Sequence, residues 1–188
     1  MPLLGALMGF FLLSGATMAL PASANAPMVL ALPGYAVTLT AYNAVPEQTD
    51  SDPLVTASGA YSNPEIIAAR SQDLAKELPF GTIIEIDGPS EPGNSCGFSV
   101  VEPIIGYRII ADSMNARYTD RIDILFSTKS NYSMANGSTK NAGTVLGICD
   151  GVTVRIVGFV DLTHPNHIPE TQTELAAIVR SGNAFTFE

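Results

Sequence analysis

Residues 107–126 read YRIIADSMNARYTDRIDILF, and the fold turns on how this stretch is parsed. In RIDILF, Ile122, Ile124 and Phe126 alternate with Arg121, Asp123 and Leu125, the period of two that marks a strand with one apolar face. In the preceding YRIIAD, Arg108, Ile110 and Asp112 are spaced to share a face, and SMNARYTD is a polar crossing between the two runs. Strands that approach each other here would set Asp112 and Asp123 in one groove. Two neighbouring carboxylates raise the pKa of one member, which keeps a proton available to a general acid near neutral pH. The alternative reading has Asp112 capping a loop and Asp123 paired with Arg121 or Arg117.

Outward from this stretch, short elements separated by turns continue in both directions. Upstream, Val37, Leu39 and Ala41 alternate with Thr38, Thr40 and Tyr42 as a strand; PEQTDSDP (46–53) is a turn; LVTASG (54–59) is a short strand broken at Gly59. The spacing of Ile66, Ala69, Leu74 and Leu78 predicts a helix over 65–78, ended by Pro79. PFGTIIEIDG is a turn and a strand extended over 82–87, PSEPGNSCG a loop, and FSVVEPIIGYRIIAD one or two strands. Downstream, STKSNYSMANGSTKNAG is a long loop and TVLGICDGVTVRIVGFVDL supplies the last strands. The tail predicts a short packing helix, with Thr171 and Glu174 as a capping box and Gly182 as its stop. Many short strands with Gly and Pro turns imply a sandwich or a barrel.

The chain's 188 residues suffice for one domain with short extensions, and 46% apolar against 14% charged residues excludes disorder. A formal net charge of −9 repels phosphate backbones and anionic membranes, so nucleic acid is not an expected partner. No cofactor motif and no metal-ligand set is read: His164 and His167 lack further ligands at suitable spacing and lie in a loop. Residues 1–20 hold no ionised side chain, and small residues at Ala22 and Ala24 fit a cleavage site. A signal peptide over 1–24 is therefore expected; an uncleaved anchor is the alternative, since no Lys or Arg precedes Arg70. Such a chain would be secreted or sit in the cell envelope as a monomer, touching a membrane only through this segment. In an exported chain, Cys96 and Cys149 are candidates for a disulfide.

Five pieces occur in order: Thr40-Ala41-Tyr42, Thr56-Ala57-Ser58-Gly59, Pro79-Phe80-Gly81-Thr82, Asp112 opening Asp112-Ser113-Met114-Asn115, and Arg121-Ile122-Asp123. Over roughly residues 37–158 the sequence resembles the three-aspartate ("3D") domain, a family related to membrane-bound lytic transglycosylase A and to stationary-phase survival wall hydrolases. The resemblance implies a six-stranded double-psi β-barrel over 37–160, following a linker and strand start at 25–36 and preceding a C-terminal extension, 161–188. It implies a partner, the glycan strands of peptidoglycan, cleaved between N-acetylmuramic acid and N-acetylglucosamine. It implies Asp123 as the catalytic acid/base with Asp112 in the same groove, and Tyr42, Thr56, Ser58, Gly59 and Asn115 as substrate-binding positions. The match departs from the family where its first aspartate belongs: Ala68-Ala69-Arg70-Ser71 stands there, with an apparent insertion before Pro79. Either two aspartates suffice, or Asp50 or Asp52 substitutes, or the domain has lost activity; a third carboxylate from Asp50, Asp52 or Asp73 in the groove would favour catalysis, whereas Arg70 paired with Asp123 would favour a non-catalytic glycan-binding module, because it would lower the acid's pKa.

Overall fold

The computed structural model describes residues 33–89 and 96–182. The 1–24 segment, with its cleavage or anchoring, lies outside these residues. Among them, eight strands and three α-helices are formed: β1 (Gly34–Tyr42), β2 (Ile67–Arg70), β3 (Thr82–Asp87), α1 (Phe98–Val101), β4 (Arg108–Ser113), β5 (Arg121–Leu125), β6 (Asn131–Ser133), β7 (Thr139–Asn141), α2 (Ala142–Leu146), β8 (Cys149–Phe159) and α3 (Gln172–Ser181).

Six strands close into a barrel in the order β1-β5-β2-β4-β3-β8, with β8 returning to β1, while β6 and β7 form a separate hairpin. The pairs β1–β5 and β2–β4 are parallel and the other barrel pairs antiparallel. The second parallel crossover is nested inside the first, the pairing a double-psi barrel requires. Closure leaves no barrel strand with an unpaired edge. One core cluster includes Leu39, Ala68, Ile84, Ile110, Ile122, Ile124, Val152 and Val154. A second, with Ile67, Ala69, Ile83, Ile109 and Leu125, takes the opposite faces of the same strands and is covered by Leu175 of α3. The expected capping box on Thr171 and Glu174 and the left-handed Gly182 bound α3, and the Gln172 side chain fastens it by bonding both backbone groups of Tyr107.

Four local readings are corrected. Residues 65–78 are not one helix: Ile67–Arg70 form β2, and only Gln72–Ala75 turn helically, as a 3₁₀ segment. All four residues of β2 are buried, Ala68 in the first core cluster and Ile67 and Ala69 in the second, so period two has no polar face on which to appear. Residues 54–59 make a single bridge, Val55 to Tyr61, not a strand. FSVV and AGTVL, rich in strand formers, are instead helices α1 and α2, held together where Gly97 donates to the Leu146 carbonyl. The long loop after Phe126 contains the β6–β7 hairpin. The expected Cys96–Cys149 disulfide is formed and ties the entry of α1 to the start of β8.

The motif Pro79-Phe80-Gly81-Thr82 has a physical reason. Gly81 has φ +93°, and a Cβ there would lie 2.3 Å from the Val160 carbonyl oxygen. Its N–H donates to Ile110 and its carbonyl accepts from Val160, splicing β4 to the end of β8.

Arg108 is 1% exposed. Its guanidinium donates to the carbonyls of Ile105 (2.6 Å), Pro64 (2.7 Å), Ile104 (2.8 Å) and Leu125 (3.2 Å) and lies 5.6 Å from the Phe126 ring centroid. Burial pushes its pKa down to about 9, with Glu65 pulling the other way, so it remains charged at neutral pH. Replacing Arg108 with Met keeps the apolar stem and orphans these carbonyls. The variant is expected to lose about 3 kcal/mol or more of unfolding free energy in a denaturant titration. Replacing both cysteines with Ala removes a cross-link spanning 53 positions, with an expected loss of about 2–4 kcal/mol in the same assay.

Candidate functional site

Asp112 and Asp123 lie on strands that do not touch, β4 and β5, with β2 between them. Ala69 of β2 is opposite Asp123 on one side and opposite Asp112 on the other. The three residues therefore form one row on one face of the sheet, the two carboxylates about 10 Å apart at Cα, twice the interstrand spacing.

Simple alternation would not produce this row. Ala68 pairs with Ile110, but Ala69 pairs with Asp112, so β4 spends two residues on one step of β2. The extra residue, Ala111, is a β-bulge. It separates Ile110, which faces the first core cluster, from Asp112, which turns to the other side. Arg108, Ile110 and Asp112 do not share a face, as the spacing had suggested. A bulge inside an apolar run has no signature in sequence.

The two carboxylates differ in their surroundings. Asp112 accepts from the Tyr42 hydroxyl (2.7 Å), the Ser113 N–H (2.8 Å) and the Ala57 N–H (2.9 Å). It anchors the 54–61 loop to the barrel. Asp123 is partly buried, and its Oδ1 is shielded from solvent with no hydrogen-bond partner. Burial pushes its pKa up to about 6, and the nearby Asp112 charge adds to this; a hydrogen bond from Thr40 and the charge of Arg121 pull it down. Thr40 is the cross-strand partner of Asp123 on β1.

Both aspartates open onto a cavity of about 660 Å³, a size usual for small-molecule sites, bordered also by Tyr42, Glu47, Gln48, Asp50, Ala69, Gln72, Asn115, Arg117 and Tyr118. Of the expected binding positions, Asn115 lines this cavity. Tyr42 lines it but is only 8% exposed, and its hydroxyl is committed to Asp112. It orients the carboxylate; burial, then Asp112, raises its pKa and keeps it a donor.

Thr56, Ser58 and Gly59 are not among the residues that border the cavity. The Thr56 and Ser58 hydroxyls bond each other, Thr56 also bonds the Ala60 carbonyl, and Gly59 takes φ +86° in the turn. Together they seat the loop whose Ala57 N–H reaches Asp112.

Of the candidate substitutes for the missing acid, Asp50 borders the cavity; Asp52 and Asp73 do not. Asp73 accepts from the Asp120 N–H, and hydrogen bonding, chiefly to the Ser71 side chain, holds its pKa low. Arg70 turns away from Asp123, donating to the Leu78 carbonyl and lying over the Phe80 ring. His164 and His167 stack on each other, and His164 bonds Asp161, remote in sequence from this row.

Glu47, Gln48 and Tyr118 were not read from the sequence as lining this cavity, and Arg117 was considered only as an ion-pair partner of Asp123. They lie in loops that fold alone does not align with a motif, and only their polarity next to strand ends distinguished them.

No family model matches this chain, and neither does any curated protein.

Asp123→Asn tests the origin of the raised pKa. A carboxyl whose folded pKa lies above its unfolded value costs stability once pH exceeds the unfolded value, and the full cost is present above the folded one. The variant is therefore expected to be more stable than the parent at pH 7.5, by on the order of 1–3 kcal/mol. At pH 4 the gain should vanish. Thermal unfolding at the two pH values measures it.

Proposed function

We propose that this chain is a three-aspartate-type lytic transglycosylase of the cell envelope, cleaving the β-1,4 bond between N-acetylmuramic acid and N-acetylglucosamine with Asp123 as its acid/base. The reading is carried by one observation: Asp123, with its pKa near 6 and an unpartnered oxygen, stands beside a second aspartate at an open cavity. The ordered motifs of the sequence support it in the same direction.

The chemistry needs a single residue that first gives and then takes a proton. Protonated Asp123 donates to the glycosidic oxygen as the C1–O bond breaks, and positive charge develops on the muramoyl ring. The resulting carboxylate removes the proton from the C6 hydroxyl of the same sugar, whose oxygen closes on C1. The products are a 1,6-anhydro sugar and a free 4-hydroxyl, with Asp123 returned to its acid form. No water is activated, so the second carboxylate of an inverting glycosidase is not required. Asp112 serves instead by its charge, which opposes ionisation of Asp123, and by holding the 54–61 wall of the cavity. A non-catalytic glycan-binding module is the competing reading; Arg70 bonded away from Asp123 and Asp50 bordering the cavity weigh against it.

Incubation with purified peptidoglycan followed by mass analysis is expected to release 1,6-anhydro muropeptides. Asp123→Asn should lower the rate at least about 100-fold. Absence of anhydro products from the parent protein would sink the enzyme reading. Because the acid form is needed, kcat/KM should fall above about pH 6, tenfold per unit, following the pKa of Asp123. Thr40→Val removes a hydrogen bond that favours the carboxylate and should move this falling limb to higher pH.

A further inference from the structure

The cavity is electrically uneven along its length. Loop 43–50 leaves β1 at Tyr42, which pairs with Leu125; loop 114–120 enters β5 at Arg121, which pairs with Thr38. The two loops thus depart from opposite ends of β5, roughly 13 Å apart at 3.3 Å per residue. The first brings Glu47 and Asp50 to the cavity, and the second brings Arg117 and Tyr118.

In a chain with only 9 Lys and Arg against 18 acids, the placing of each cation is informative. Arg70 and Arg108 are buried among carbonyls, and Arg155 pairs with Glu85 and Asp87. Arg117 borders the cavity and, among the described residues, forms no ion pair. It is held in place all the same. Its guanidinium carbon lies 4.7 Å from the Tyr118 ring centroid, and its Nη2 donates to the Tyr118 hydroxyl at 2.7 Å. Arg121 lies 4.8 Å from the same centroid, and so fixes the ring. A guanidinium immobilised on an aromatic ring keeps the rest of its donor fork for a planar anion and loses little rotamer freedom on binding one.

An acidic floor and an acidic far end would repel any substrate carrying a carboxylate unless a cation compensated for it. We infer that Arg117, mounted on Tyr118, is the specificity-determining group that takes a carboxylate of the substrate, and that the glycan strand lies with its acid-bearing sugar substituent at the Arg117 end and away from Glu47 and Asp50. The inference rests on the glycan reading above. The carboxylate has two sources in peptidoglycan, the lactyl acid of a strand stripped of peptide and the acids of the peptide stem.

Binding is measured on the Asp123→Asn background, so that affinity is read without turnover. Three probes are used: peptide-bearing glycan strands, the same strands after amidase removal of the peptides, and a neutral N-acetylglucosamine hexamer. Arg117→Gln is expected to weaken binding of charged strands about tenfold, as for loss of a hydrogen-bonded ion contact, and to leave the hexamer unchanged. Arg117→Lys should restore part of the loss, and raised salt should shrink the difference. A loss on the peptide-free strands alone assigns the lactyl carboxylate, which the stem's amide masks in the peptide-bearing strands; a loss on peptide-bearing strands alone assigns the stem; a loss on both shows that Arg117 takes whichever acid the substituent presents. Equal affinity of parent and Arg117→Gln for both charged strands, or an equal loss on the hexamer, overturns the inference while leaving glycan cleavage intact. No binding of any probe, together with no anhydro product from the parent protein, overturns both.

Discussion

A single buried cation organises the barrel around the site. Arg108 offers its donors to carbonyls from the approach to β2, from the segment before β4 and from the end of β5. These are places where strands start or stop and where the ladder leaves acceptors unpaired. The Ile105 and Leu125 carbonyls are buried, so each would carry a desolvation cost without a donor. The guanidinium supplies several donors in one plane and needs no carboxylate beside it. Because β2 and β5 carry Ala69 and Asp123, the spacing of the Asp112–Ala69–Asp123 row depends on this contact. Pairing with an acid would have introduced a further charge beneath the groove.

The site itself is a consequence of unequal treatment of two aspartates. One is saturated with donors and works as a fastening for a loop; the other keeps an unpartnered oxygen, and burial raises its pKa. The bulge at Ala111 brings them to the same side. Geometry of this kind explains why Ala69 stands between them: a larger side chain in the middle of the row would fill the furrow. Arg70 and Ser71 have backbone tasks, Arg70 holding the Leu78 carbonyl and Ser71 accepting from the Arg121 N–H.

Much of this was legible in the chain, and the reasons for the rest are specific. β1 and β5 alternate cleanly because each presents one face to the core, and the closing strand β8 was placed for the same reason. β2 was hidden because its four residues are buried on both faces and because Ala-Ala-Arg favours helix locally; the sheet on either side overrode that preference. Helix α1 was hidden by its β-branched composition. Asp112 and Asp123 were found from ordered motifs, while their shared face came out right although the periodicity offered for Asp112 was wrong. Thr56, Ser58 and Gly59 carry a motif whose work is to shape a turn. The cavity walls at Glu47, Asp50, Arg117 and Tyr118 arise from loops brought together by strand order, which no local pattern encodes.

Barrel closure falls late in the chain. Strand β8, at 149–159, pairs with both β1 and β3, and Leu175 of α3 then covers the outer cluster. A polypeptide emerging from its N-terminus therefore carries an open, incomplete sheet until more than three quarters of its length is available. Contacts so distant along the chain are slow to form. The topology thus delays its own completion: the first strand waits for one of its two neighbours until nearly the last element has been made.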